Sequence, residues 1–224
     1  MISVAIDTSA KTASIAIFKD SILISEYFLN AGFTHTQTLM SMLDSIFKIS
    51  NINVKEVAEY IVVSGPGSFT GLRIGMATVK GLAALMDIPC KSVSTIESLA
   101  YNLINLDGII CPVMDARCNQ VYTAIFECKN KEVIRLEDDC VKPIEEVIEK
   151  LSEYKRDVML LGDGAYLFKN YKLKNVKIIT GNLIYQRASS SYYAAQKYNY
   201  LSHYDLVPTY LRLPQAQRQL IKNR

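Results

Sequence analysis

The feature that most restricts how this 224-residue chain can fold is a run of apolar, mostly β-branched residues at 60–64 that stops at a glycine-rich turn. The turn reads Gly65-Pro66-Gly67-Ser68-Phe69-Thr70-Gly71-Leu72-Arg73 and gives way to a helical period lasting to about Met86. A continuous apolar run is what a strand buried on both faces requires, and such strands lie in parallel sheets whose crossovers are helices. Glycines at this junction stand where backbone N–H groups and a helix dipole can hold an anion. As a phosphate loop the turn is incomplete, with neither a Gly-Lys-Ser/Thr ending nor G-x-G-x-x-G spacing, so a tight strand-to-helix turn is the competing explanation.

The flanking sequence extends this strand and helix into two α/β lobes. Residues 2–6, 13–18 and 22–28 are β-rich runs separated by Asp7-Thr8-Ser9-Ala10-Lys11 and Lys19-Asp20, and they predict a three-stranded meander. Thr34 with Gln37 makes a capping box for a helix to about Ile49, and Asn53 with Glu56 caps a short one. A strand at 88–93 follows, then a helix at 96–103 opened by Ser94 with Glu97. The pattern then repeats. Residues 109–114, 120–126 and 132–136 form a second meander, and Pro143 starts a helix through about Tyr154. Strands at 158–161 and 176–180 follow, with helices at 166–171 and 189–200. The boundary falls near residue 105, giving lobes 1–105 and 106–224, with the C-terminal tail placed to pack back on the first.

Two helices carry more apolar or small surface than a lone lobe needs. Leu39, Met40, Met42, Leu43, Ile46, Phe47 and Ile49 cover roughly 180° of the first helix, against the ~100° stripe that docking on one's own core requires. A deeply buried helix and a helix facing a second protein both explain that arc. In the helix after the glycine turn, Gly71, Ile74, Gly75, Thr78, Gly81, Leu82 and Leu85 share one face, with Arg73, Met76, Ala77, Lys80 and Ala84 opposite. Each glycine inside a helix costs about 1 kcal/mol relative to alanine, so close backbone approach by the chain's own sheet or by a partner's helix must offset it.

Composition excludes several alternatives. The 25 Lys and Arg against 22 Asp and Glu leave only +3, so any RNA contact must be local rather than driven by bulk charge. The two histidines, His35 and His203, have no nearby ligand set, and Cys90, Cys111, Cys118, Cys128 and Cys140 contain no C-x-x-C, so neither a metal centre nor a disulfide framework is expected. No apolar run approaches the roughly 18 residues of a membrane span, and the start Met1-Ile2-Ser3-Val4-Ala5-Ile6-Asp7 does not read as a signal peptide, so the expected location is the cytoplasm. Tyr192, Tyr193, Tyr198, Tyr200 and Tyr204 are read as packing residues in preference to a base-stacking platform. The basic terminus carries Arg212, Arg218, Lys222 and Arg224; it is expected to be a mobile tail, with phosphate contact the alternative.

The element order resembles one lobe of the actin, heat-shock ATPase and sugar-kinase superfamily. The stretch Val62-Val63-Ser64-Gly65-Pro66-Gly67-Ser68-Phe69-Thr70-Gly71-Leu72-Arg73-Ile74-Gly75 closely resembles the signature of the bacterial TsaB (YeaZ) family. Asp7-Thr8-Ser9, Asp115-Ala116-Arg117 followed by Val121-Tyr122, and Pro208-Thr209-Tyr210-Leu211-Arg212 agree with it as well. The resemblance spans the whole chain. It implies a two-lobed actin-like ATPase fold and a part in threonylcarbamoyl modification of adenosine 37 in tRNAs reading codons that begin with A.

The same resemblance implies a non-catalytic subunit that heterodimerises with the paralogue TsaD, or with itself where TsaD is absent. By the same resemblance a TsaE-type ATPase and a threonylcarbamoyl-AMP synthase are expected pathway partners, and tRNA is expected to be met only through the complex. The two helix faces described above, within 36–49 and 71–86, are the expected interface: Leu39, Met40, Met42, Leu43, Ile46, Phe47, Gly71, Ile74, Gly75, Thr78, Gly81, Leu82 and Leu85. TsaD holds a metal through an H-x-x-x-H pair, whereas here the corresponding stretch reads Val93-Ser94-Thr95-Ile96-Glu97-Ser98-Leu99. No cofactor is therefore expected beyond residual nucleotide binding. Asp7, Thr8, Ser9, Gly65, Gly67, Asp115, Gly162 and Gly164 mark a vestigial nucleotide cleft, unless each merely shapes a turn. The rival reading is an active kinase or ATPase of the superfamily working through Asp7 and Asp115.

Overall fold

The structure is a computed structural model and describes residues 1–212. The first sheet contains β1 (Ile2–Asp7), β2 (Ala13–Lys19), β3 (Ile22–Leu29), β4 (Val57–Gly65) and β5 (Cys90–Ser94) in the order β3-β2-β1-β4-β5. β1, β2 and β3 form the antiparallel meander, and β1, β4 and β5 run parallel. The crossovers are α1 (His35–Ser50) and α2 (Phe69–Ala84), both on one face over a core that includes Val4, Ile6, Ile15, Ile17, Leu39, Ile46 and Val79. Thr34 and Gln37 make both bonds of the predicted capping box. Next comes α3 (Thr95–Ala100), and α5 (Ala188–Ala195) covers the opposite face, where Ala5 and Ala16 leave room for it and Phe18 stacks on Tyr192 at 3.7 Å.

The second sheet is built from β6 (Gly108–Arg117), β7 (Gln120–Thr123), β8 (Phe126–Lys129), β9 (Glu132–Arg135), β10 (Cys140–Pro143), β11 (Val158–Leu161) and β12 (Val176–Ile178), with α4 (Ile144–Ser152) packed on one side. On its other side lies α3, whose Ile96 and Leu99 join Ile110, Met114, Phe126 and Leu161 in one core. Two sheets with helices on their faces are the layered α/β arrangement that alternating strands and helices predict.

Several predicted boundaries moved. The run at 120–126 is two strands, because the long β6 is paired near its end by β7 and at its start by β8, and Ala124-Ile125 is the step between them. Pro143 closes β10, a strand the sequence reading missed, and caps α4 from outside. The predicted short helices after Asn53 and at 166–171 are 3-10 turns at Val54–Glu56 and Ala165–Phe168. The helix foreseen to residue 200 ends at Ala195, because the Tyr198 hydroxyl donates to Glu97 (2.5 Å) and Leu201 exchanges backbone bonds with Cys90 at the sheet edge.

From there the chain straps the first sheet to the second. Lys80 Nζ donates to the Tyr204 carbonyl (3.3 Å), Thr209 N–H to the Ser64 carbonyl (2.7 Å), and Arg73 Nε to the Tyr210 hydroxyl (2.9 Å). Arg212 ends the strap on the carbonyls of Ala116 and Arg117. Arg218, Lys222 and Arg224 lie outside the described residues. Among the described residues, no helix is long and apolar enough to cross a membrane.

Candidate functional site: the glycine turn and its helices

Ser68 caps α2, its hydroxyl accepting from Gly71 N–H (3.2 Å), so the strand passes into the helix in three residues. The glycines are there because other parts of the same chain sit against them. A Cβ at Gly65, where φ is +121°, would lie 2.4 Å from the Thr209 carbonyl oxygen. One at Gly67 would lie 2.3 Å from the Ser9 carbonyl, one at Gly71 2.0 Å from the Thr8 carbonyl, and one at Gly75 2.3 Å from Thr8 Oγ1. Thr8 Oγ1 donates to the Gly71 carbonyl (2.8 Å), and Ser68 N–H donates to the Ser9 carbonyl (2.7 Å). The motif is a seat for the β1–β2 turn and the strap. Gly71 and Gly75, assigned above to a partner, are buried against this chain's own Thr8, which offsets the cost of glycine in a helix.

The rest of the expected interface divides similarly. Leu39, Met42, Leu43 and Ile46 are buried in the chain's own core, while Phe47, Ile74 and Leu82 are half-buried against it. Thr78 is half-buried, and Met76, placed on the outer face above, points into the core, because the buried stripe of α2 runs through Leu72, Met76, Val79 and Ala83. Met40, Ile49, Leu85 and Met86 stay exposed, at 59%, 74%, 77% and 45%. Ala77 and Gly81 are exposed too, and a Cβ at Gly81 would meet nothing within 4 Å.

The cleft residues gather as two separate turns. Asp7, Thr8 and Ser9 form the first, where Asp7 Oδ1 accepts from Ser9 N–H (2.9 Å) and Oγ (2.6 Å). Asp7 is fully buried with Oδ2 unpartnered, and burial raises its pKa. Gly65 and Gly67 belong to the same assembly, faced by carbonyl oxygens. In the second turn Asp115 accepts from Arg117 N–H (2.7 Å) and the Tyr166 hydroxyl (3.1 Å). Gly162 and Gly164 pack there against Val113 and Asp115 backbone. Ala10, beside the first turn, packs in one cluster with Met114 and Ala116 beside the second.

Two further carboxylates are buried or nearly so, Asp163 in the second turn and Glu97 in α3. Asp163 lies between Gly162 and Gly164, and burial, helped by the neighbouring Asp115 charge, pushes its pKa up to about 6. A carboxyl raised in the folded state binds its proton more tightly there than when unfolded, so its contribution falls as pH rises from about 4 to 6. Asp163→Asn is therefore expected to stabilise the protein by about 1–3 kcal/mol at pH 7 and by nothing below pH ~4, as read from urea midpoints across pH. Glu97, in α3, is fully buried and pairs with Lys197 (2.5 Å) and Arg135 (3.1 Å) while accepting from Tyr198. Its charge is thus met from within the chain. The signal for Asp163 was a carboxylate enclosed by glycines at a strand end; Glu97 was expected to complete a capping box with Ser94, but only the Ser94 hydroxyl accepts from Glu97 N–H (3.2 Å), because the carboxylate is drawn to Lys197, Arg135 and Tyr198.

Two sheets of this construction, joined through helices packed between them, define a two-lobed protein of the actin-like ATPase fold. The activator of 2-hydroxyisocaproyl-CoA dehydratase from Clostridium difficile shares that fold, with a TM-score of 0.51 at 10% identity over 100% of this chain and 98% of that one. YeaZ from Pseudomonas aeruginosa superposes with a TM-score of 0.80 at 21% identity, covering 94% of this chain and 99% of its own. The chain belongs to the TsaB family of tRNA threonylcarbamoyladenosine biosynthesis proteins. The Bacillus subtilis protein TsaB is 32% identical over 100% of this chain and 99% of its own length, and the Escherichia coli TsaB is 28% identical over 71% and 70%. Residues 30–217 also match the family model described as TsaD, tRNA N6-adenosine threonylcarbamoyltransferase.

Proposed function

We propose that this chain is a non-catalytic subunit of the apparatus that places threonylcarbamoyl on adenosine 37 of tRNA, and that it works by docking α1 and α2 on a TsaD-type transferase. One observation carries the reading. Every glycine of the turn is taken up inside the chain, whereas Met40, Ala77, Gly81 and Leu85 are left outward on helices that already have a complete core beneath them. Exposed small residues let a second helix approach closely, and Met40 and Leu85 supply apolar area to bury. Where no TsaD-type protein is present, the same face supports a homodimer. A TsaE-type ATPase and a threonylcarbamoyl-AMP synthase are the pathway neighbours this reading requires.

The reading calls for no cofactor. The positions a phosphate would approach at Gly65 and Gly67 are faced by the carbonyl oxygens of Thr209 and Ser9, which repel an anion instead of donating to it. That observation disfavours the kinase alternative. Titration of the chain with MgATP is expected to give no saturable heat, and micromolar binding with turnover would restore the rival.

Gly81→Arg and Ala77→Arg test the docking face itself. Both sites are exposed, so neither variant should lose more than about 0.5 kcal/mol of stability, while co-elution with the transferase on gel filtration is lost. Unchanged co-elution in both variants would refute the interface. Gly75→Arg is unsuitable for this purpose, since it would strike Thr8 and unfold the chain.

A further inference from the structure

We propose that the end of the second sheet from which β6, β11 and β12 begin binds the phosphate backbone of tRNA. This deepens the reading that the chain serves tRNA modification and rests on it, but not on the docking face.

The topology brings the relevant loops together. β11 lies parallel between β6 and β12, with Val158 opposite both Ile109 and Val176, so the loops entering β11 and β12 emerge at the same end. The β8–β9 turn is there too, because Cys128 pairs with Gly108 at the start of β6. Asn175 ties these loops to the helix before them. Its side-chain amide donates to the carbonyls of Leu151, Tyr154 and Arg156, and its own carbonyl accepts from Val158 N–H (2.7 Å). Of these, Leu151 is in the last turn of α4, so one carbonyl at the negative end of that helix is covered, and the other two lie in the loop that follows. With neighbouring strands about 4.8 Å apart, the loops from β8 to β12 span about 15 Å, room for several backbone phosphates.

Charge on this end is predominantly positive. Lys129, Lys131, Lys155, Lys172 and Lys174 are all exposed and have no ion-pair partner among the described residues. Arg156 and Lys177 are offset by Glu127 (2.9 Å) and Asp157 (2.6 Å). Of the other acids here, Glu153 is held by Lys150 (3.0 Å), Asp107 accepts from Asn130 N–H (3.0 Å), and Glu132 is exposed. A whole-chain balance of only +3 therefore conceals a local excess of cations. Long lysines spread over separate loops suit a row of point charges such as phosphates, which position an RNA without reading its sequence. Lysine clusters also attract anionic lipid, so a membrane is the outcome to be tested against.

The test uses this chain in complex with its transferase, wild type and Lys155→Glu/Lys172→Glu/Lys174→Glu, with tRNA binding followed by fluorescence anisotropy over a KCl series. Losing three phosphate contacts is expected to lower the log–log salt slope by about two to three and the affinity at least tenfold, and each single reversal should lower the slope by just under one. Gel filtration should show the protein complex intact, which separates this result from a failure of the docking face. An unchanged slope, or no salt-dependent tRNA binding by the wild-type complex, overturns the proposal. So does loss of binding to phosphatidylserine vesicles in the reversed variant while its tRNA binding is unaltered.

Discussion

Gly71→Ala is expected to cost at least about 3 kcal/mol of stability, whereas Gly81→Ala, ten residues further along the same helix, should add about 0.5–1 kcal/mol. The new Cβ at Gly71 would stand 2.0 Å from the Thr8 carbonyl oxygen and within 3.3 Å of the His35 ring. Backbone at that point cannot yield easily. Thr8 is fastened to α2 by its own hydroxyl, Asp7 accepts twice from Ser9, and Ser68 holds the Ser9 carbonyl. Gly81 has open space around it, so alanine there only removes unfolded-state freedom and improves helix propensity.

Gly75 offers an internal control, because the atom facing it is the Thr8 hydroxyl oxygen and not backbone. Thr8→Ala should therefore relieve part of the damage from Gly75→Ala and none of that from Gly71→Ala, a difference that a double-mutant cycle reads directly. Urea denaturation decides all of these. A Gly71→Ala midpoint within 1 kcal/mol of wild type would mean that the turn is not seated as described.

The second large effect is expected at Glu97. Glu97→Ala should remove about 3 kcal/mol, because it takes one carboxylate from two cations and a tyrosine contributed by different parts of the fold. Arg135 comes from β9 in the second sheet, and Lys197 and Tyr198 from the chain just after α5. Arg135 keeps Asp139 (2.5 Å) and the Phe126 ring, so the loss falls short of a wholly unpaired buried charge. Burial opposes ionisation of Glu97, but hydrogen bonds from Lys197 and Tyr198 and the charges of Lys197 and Arg135 outweigh it and hold the pKa below its ordinary 4.5.

A carboxylate with a depressed folded pKa contributes stability that is fully present above the unfolded value and is lost as pH falls through the folded one. Glu97→Gln should accordingly differ from wild type most at neutral pH and converge with it on acidification below 4.5. Parallel stability curves from pH 7 to pH 3 would contradict this assignment.

Much of the fold was readable from local pattern. The meander of β1, β2 and β3, the α1 capping box at Thr34 and Gln37, and the passage from β4 into α2 each depend on residues a few positions apart, and the structure places them within a residue or two of the prediction. The strand break at Ala124-Ile125 was not readable, because it depends on how a long β6 is shared between two partners. Nor was the length of α5, since Leu201 leaves the helical path to pair with Cys90, which lies more than a hundred residues earlier.

At the candidate site the division is sharper. Sequence alone identified the glycine motif, its place between strand and helix, and its resemblance to the TsaB signature. Only the tertiary structure decided which glycine faces what: Thr8, Ser9 and Thr209 reach Gly65, Gly67, Gly71 and Gly75 across the fold, while Gly81 is left in the open. Spacing along a helix says which residues share a face. It cannot say whether that face meets the chain's own backbone or water, because the answer depends on atoms brought there by distant segments.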